Sequence, residues 1–147
     1  PELLEPCLAD EDDGSRAGAI NLATTLAFTP VPQFAVYAAS KAYIVSYTEA
    51  LQAEIAREPL DLLLAMPGSV ETSFGERAGY RGSKLPGAIS PEAVATRVLG
   101  ALGRQKVVYT DCLSEKGFGP ITGLRGLGAA GIATGLGVFQ RLQTMRR

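Results

Sequence analysis

Histidine is absent from the 147 residues. That excludes a Ser-His-Asp hydrolase site and any histidine-based zinc site within the chain. Cysteine is scarce: Cys7 and Cys112 follow no metal-binding or redox spacing. Two ordinary thiols in a reducing, cytoplasmic setting are therefore expected. Dense charge is lacking too. Six acids (Glu2, Glu5, Asp10, Glu11, Asp12 and Asp13) precede the first base, Arg16, and four arginines with no acid follow Phe118, for a net charge of −1. Neither end is concentrated enough to argue for nucleic acid as a partner, and both read as solvated. The uncharged run Gly126–Gln140 falls short of the ~20 residues that a membrane-spanning helix needs. No signal-peptide pattern is present, and the chain opens on Pro1 rather than Met, so a fragment or processed piece is expected.

What remains is the composition of a folded domain of common size, 46% hydrophobic and 20% charged. Residues 1–17 read as the end of a preceding helix followed by an acidic loop. Gly18–Ala23 is a short apolar run that suits a buried parallel strand, although periodicity alone does not separate this from a short buried helix. Thr24–Phe34 holds Pro30 and Pro32 and reads as a loop. A helix is expected from Ala35 or Tyr37 to Arg57. Its apolar stripe would be Ile44, Thr48, Leu51 and Ile55, with Glu49, Gln52 and Glu54 on the wet side. Pro59 ends it. Leu60–Met66 is the next strand, stopped by Pro67-Gly68. Phe74–Ile89, with four glycines, reads as a long loop, a functional lid or a mobile segment. Ser90-Pro91-Glu92 opens a second helix, with Ser90 as cap and Gly103 as the C-cap. Lys106–Thr110 is the third strand. Strand, helix, strand, helix, strand makes a parallel sheet of the α/β class.

The tail, 111–147, is apolar and rich in glycine. Gly131 and Gly135 form a small-x-x-x-small pair of the kind used in membrane helix contacts. Packing on its own domain or on a partner subunit is the leading expectation. Membrane-surface contact through Arg141, Arg146 and Arg147 is the lesser one.

Tyr37 and Lys41 stand four residues apart, one turn from each other on one helix face. An ammonium beside a phenol favours the phenolate, so Lys41 is expected to pull Tyr37 down from its ordinary value near ~10 toward usefulness in proton transfer. The same spacing also suits a half-buried aromatic beside a solvated lysine. Thr24 ends the apolar run thirteen residues before Tyr37, and Met66-Pro67-Gly68-Ser69-Val70-Glu71-Thr72 ends another twenty-six residues after Lys41.

This trio, in this order, and above all the wording Ala35-Val36-Tyr37-Ala38-Ala39-Ser40-Lys41-Ala42, resembles the C-terminal half of a short-chain dehydrogenase/reductase (SDR). The resemblance covers roughly Gly18–Thr110. It implies part of a Rossmann-like, doubly wound parallel sheet of about three strands over 18–110. It also implies hydride transfer between NAD or NADP, with NADP slightly preferred, and a small carbonyl or alcohol. In the role the family assigns, Tyr37 is the proton donor and Lys41 tunes it and holds the nicotinamide ribose. Thr24 stands where the family has a substrate-binding serine. Cofactor contacts are implied at Leu22, Tyr37, Lys41, Pro67, Gly68, Ser69, Val70 and Thr72, and substrate contacts at Thr25 and Phe74. Tyr80 and Leu85 are further lid candidates. A homo-oligomer is an expectation of the resemblance alone. Taken singly, the threonines suit strand-end hydroxyls bonded to backbone, and Pro67-Gly68 suits an ordinary turn.

The sequence also departs from the family. Nothing ahead of Gly18 forms the strand, glycine turn and helix that receive a pyrophosphate, and Gly123-Leu124-Arg125-Gly126-Leu127-Gly128 does not follow a clear strand. The family's relay asparagine has no counterpart either, since the single asparagine is Asn21, in the strand itself. The resemblance thus implies a missing N-terminal half as partner, and a chain that is inactive on its own. The alternative is a truncated or degenerate, non-catalytic interaction module.

Overall fold

The computed structural model describes residues 16–29, 32–77, 87–111, 114–125, 127, 128 and 131. The expected helix end before residue 16, the lid positions Tyr80 and Leu85, and the tail beyond residue 131 lie outside them. Three strands, β1 (Ala17–Leu22), β2 (Leu60–Met66) and β3 (Val107–Tyr109), form one parallel sheet in that order. β2 lies between the other two. Its sequence, apolar but for Asp61, is buried at every position except that aspartate, as a strand covered on both faces requires. Alternation along it divides the core. Leu64 and Met66 pack with Ala23, Val45 and Tyr109, whereas Leu63 and Ala65 pack with Val98, Ala101 and Val108.

The helices that cover these faces are α1 (Ala35–Glu54) and α3 (Pro91–Ala101), with a single turn, α2 (Phe74–Arg77), between them. α1 stops at Glu54, three residues short of the expected Arg57. Gln33 enters the left-handed region at φ 71° immediately before Phe34, turning the proline-containing loop into the helix. That loop is not wholly irregular, because Thr25–Phe28 forms a 3-10 turn. α3 opens as expected, the Ser90 hydroxyl accepting from the Ala93 N–H at 3.2 Å. Its C-cap is Leu102 rather than Gly103. The glycine follows it at φ 73°, a conformation that a side chain would strain. β1 is shifted one residue toward the N-terminus from the expected 18–23, and β3 is trimmed from 106–110, because ladder pairing, not apolarity, sets their ends.

The main correction concerns the face of α1. Its buried residues are Val45, Thr48, Glu49 and Gln52, and both Glu49 and Gln52 were expected to be wet. The spacing is helical, but the stripe is rotated because polar groups on this face meet polar groups on the sheet and, for Glu49, Arg125 on a later helix. Gln52 Nε2 donates to the carbonyls of Leu62 (2.9 Å) and Lys106 (2.7 Å), where β3 has not yet begun and Leu62 has no partner on that strand. Asn21 Nδ2 donates to Thr48 Oγ1 at 2.9 Å, so the lone asparagine ties β1 to α1. Tyr43 and Tyr47 are left on the outside, stacked at 6.0 Å.

A further helix, α4 (114–125), runs from just after β3. It docks on the same face as α1, through Phe118 and Arg125. The described beginning of the tail therefore packs on its own domain. No helix of the described residues is long and apolar enough to cross a membrane.

Gln52→Leu keeps the volume and removes the amide that serves the buried Leu62 carbonyl. It is expected to destabilise the fold by about 1–3 kcal/mol, read as a lowered urea midpoint with an unchanged slope.

Candidate active site

The carboxyl ends of β1 and β2 converge on one carbonyl. The ladder runs past Leu22 through Ala23 N–H to Ala65 O (2.9 Å) and Thr25 N–H to Pro67 O (3.2 Å). Thr24 Oγ1 donates to the same Pro67 carbonyl at 3.2 Å and caps the 3-10 turn by accepting from Leu26 N–H at 3.4 Å. Thr24 and Thr25 are both buried. Both are thus backbone-bonded strand-end residues, yet Thr24 also faces the site, since its hydroxyl acts on the titration of the Tyr37 phenol.

Tyr37 lies in the first turn of α1, half-buried, with Phe34 edge-on at 6.3 Å and Phe74 tilted against it at 5.0 Å. Burial among these rings pushes its phenol above the ordinary value, and the Thr24 hydrogen bond opposes that rise without cancelling it. The expected pull from Lys41 is not seen. Lys41 Nζ donates to the Leu22 carbonyl at 2.9 Å and sits 5.9 Å from the Tyr37 ring centre, over the ring rather than at the oxygen. The site therefore holds a protonated phenol.

Pro67 is buried, and Gly68 begins the segment that leaves β2. The lack of a side chain at Gly68 has a cause inside the protein. A Cβ there would clash with Asp111 Oδ2 and lie 3.3 Å from Ser114 Oγ. Asp111 followed β3 in the sequence with no sign of a role. Its Oδ1 accepts from Ser114 N–H at 2.7 Å at the head of α4, and its buried Oδ2 makes no hydrogen bond. Only the fold brings it beside Gly68.

Beyond Gly68 the chain pairs once more. Ile89 N–H donates to Ser69 O (3.1 Å) and Glu71 N–H to Ile89 O (2.9 Å), making a parallel bridge between Val70 and Ile89. Extended geometry turns Val70's own N–H and C=O to the opposite side of the segment. Thr72 is exposed, its hydroxyl accepting from Phe74 N–H at 3.3 Å. Leu22, at the end of β1, is 51% exposed beside Lys41. The fold thus gathers Leu22, Thr24, Thr25, Tyr37, Lys41, Pro67, Gly68 and Phe74 at one edge of the sheet, and Ser69, Val70 and Thr72 on the segment leaving it. Asn21 stays outside this group. Among the described residues no acid or cysteine cluster suits a metal ion.

Two outcomes follow from this geometry. Gly68→Ala is expected to cost about 1–3 kcal/mol through overpacking, and Asp111→Ala in the same chain should make that cost smaller; a double-mutant cycle in urea measures the coupling. Tyr37 and Tyr109 are both raised by burial, so the unfolded chain releases these protons first. Stability is then full below about pH 10 and falls as pH climbs through the folded values. Tyr37→Phe should flatten that alkaline decline in pH-dependent urea melts.

The sequence profile of the short chain dehydrogenase family matches residues 4–80, just over half of the chain. A protein of Staphylococcus epidermidis known as an uncharacterized oxidoreductase is 36% identical over 76 residues, 48% of this chain and 33% of that protein. A short-chain dehydrogenase from Sphingobium yanoikuyae, solved in complex with NADPH, superposes with a TM-score of 0.63 at 18% identity, over 76% of this chain and 44% of that one. One from Burkholderia cenocepacia, in complex with NADP, gives 0.58 at 24% identity, over 89% and 47%. A 7β-hydroxysteroid dehydrogenase gives 0.56 at 21% identity, over 67% and 40%. The chain spans about a third of the length of the curated relatives it matches and under half of these solved chains. The structural likeness establishes the Rossmann-like fold. With the profile match across Thr24, Tyr37, Lys41 and the Pro67–Thr72 segment, the chain belongs to the short-chain dehydrogenase family.

Proposed function

We propose that this chain carries the proton-transfer half of an NAD(P)-dependent oxidoreductase acting on a carbonyl or alcohol. The observation that supports this most is the meeting of Thr24, Tyr37 and Lys41 at the carboxyl ends of β1 and β2. A nicotinamide bound here would supply the hydride, two electrons with one proton's worth of mass, to the carbonyl carbon. The chain's own residues manage the oxygen. Tyr37, held protonated by burial, gives its phenolic proton to the oxygen as negative charge develops there. Thr24, released from Pro67, turns its hydroxyl proton to the same oxygen. Lys41 is one helical turn away, within reach of a ribose once it leaves the Leu22 carbonyl.

The residues present fit such a cofactor. Val70 offers an N–H and a C=O on the side away from Ile89, the complementary pair that a carboxamide takes up. Thr72 adds an exposed hydroxyl, and Phe74 walls the substrate side against Tyr37. Of the two nucleotides we favour NADP, since the Sphingobium and Burkholderia neighbours were solved with NADPH and NADP. The adenine-binding strands would come from a preceding half, because β1 is an edge strand of the described sheet. By itself the chain would bind nucleotide weakly and turn over negligibly. We also propose the division into 1–17, 18–110 and 111–147, and the cytoplasm as its compartment.

A second reading, a non-catalytic module that docks a partner or another copy of itself, draws on the outer face of α1. There Val36, Tyr43 and Tyr47 are 85%, 69% and 47% exposed.

The readings separate in one experiment. Joined to a dinucleotide-binding half, the chain is expected to oxidise NADPH with a ketone, and Tyr37→Phe to lower kcat by about 10²–10⁴-fold with its circular dichroism spectrum unchanged. Full turnover in a folded Tyr37→Phe protein would rule out the enzymatic reading as assigned.

A further inference from the structure

We infer that helix α4 is a clamp that holds the Thr24 side and the Tyr37 side of the site in register, with Phe118 and Arg125 as its positioning residues. At one point Phe118 stacks on Phe28, ring centres 5.6 Å apart and planes 25° from parallel. Phe28 is the last residue of the 3-10 turn that Thr24 caps, so this stack bears on the segment that fixes the threonine hydroxyl. At the far end Arg125 Nε donates to Glu49 Oε2 and its NH2 to Ser46 Oγ, each at 2.8 Å. Both acceptors are on α1, whose first turns carry Tyr37 and Lys41. Between these points Thr122 Oγ1 gives its proton to Gly119 O (3.0 Å), which leaves the Tyr109 phenol to donate to Thr122 at 3.1 Å.

Glu49 makes the clamp more than incidental contact. It is only 7% exposed, and its Oε1 is buried without a hydrogen-bond partner. A carboxylate so placed stays charged at a cost unless a cation meets it. Arg125, 76 positions later, is the cation that does. The head of the helix adds a third grip, since Asp111 caps Ser114 while its other oxygen abuts Gly68. One helix thereby touches the 3-10 turn, α1 and the Pro67-Gly68 turn, the three segments that bring the site together. α1 is one continuous helix, and such rigid elements pass a displacement along their length. Phe118 and Arg125 both lie beyond the residues matched by the family profile.

This inference stands on the contacts of α4 with Phe28, α1 and Gly68 and not on turnover, so it is tested without a reaction. In the full chain labelled with ¹³Cζ-tyrosine, the Tyr37 resonance, assigned with Tyr37→Phe, is titrated with pH. Thr24→Val is expected to raise the Tyr37 midpoint, because the threonine hydroxyl holds it down. In a folded Phe118→Leu/Arg125→Gln chain the same Thr24→Val step should shift the midpoint by roughly half as much or less, and Arg125→Lys alone should keep most of the shift. Loss of global stability alone would leave that increment in place. An undiminished increment in the folded clamp variants overturns the inference, as does the lack of any Thr24→Val shift in the parent chain. Should Arg125→Gln fail to fold with Glu49 left unpaired, adding Glu49→Gln removes the buried charge, and the same comparison decides.

Discussion

The Pro67 carbonyl is the point on which this site depends. It accepts the Thr25 N–H, extending the β1–β2 ladder one step beyond the strands, and it accepts the Thr24 hydroxyl. These two bonds place a side-chain oxygen at a strand end, where the main chain is already committed to the sheet. Without the parallel register that sets Leu22 opposite Ala65, Thr24 would face a different neighbour. A slip of one residue turns every side chain of a strand to the other face, so the ladder that builds the core also aims the hydroxyl. Ligand sites of open α/β sheets gather at the carboxyl ends of strands for this reason: backbone pairing ends there and leaves groups to spare.

The chemistry of Tyr37 comes from the balance of burial against hydrogen bonding. Three aromatic rings, Phe34, Tyr37 and Phe74, share a small volume, which disfavours the phenolate, while the Thr24 hydroxyl favours it. Burial dominates, and the phenol keeps its proton. Lys41 does not enter that balance, because its ammonium is engaged by the Leu22 carbonyl. A lysine one turn from a tyrosine is close in sequence geometry, yet a long flexible side chain goes to the best acceptor in reach. Here that acceptor is the free end of β1.

Polar groups on the buried face of α1 tie the layers together alongside the apolar core. Thr48, Glu49 and Gln52 each meet a partner on another element: Asn21 on β1, Arg125 on α4, and the carbonyls of Leu62 and Lys106. Glu49 and Gln52 read from the sequence as a wet face, because amphipathic reasoning treats polar residues as exposed. The partners that make their burial tolerable lie up to 76 positions away, outside any local window.

Sequence alone determined the parts whose cause is local. Leu60–Met66, apolar but for Asp61 and bounded by Pro59 and Pro67-Gly68, is a strand on local grounds, and Ser90-Pro91 starts a helix because a hydroxyl cap and a fixed φ act within four residues. The Tyr37–Lys41 pair was legible because a helical turn is short, and its family resemblance pointed to Thr24 and Pro67–Thr72 as well. Only the tertiary structure decided which face of α1 is buried, what crowds a side chain at Gly68, and where the Lys41 ammonium goes. Each of these depends on a group brought in from a distant segment: Arg125 for Glu49, Asp111 for Gly68, the end of β1 for Lys41. Residue spacing encodes contacts along one element, whereas contacts between elements are set by packing and register, which exist only once the chain has folded.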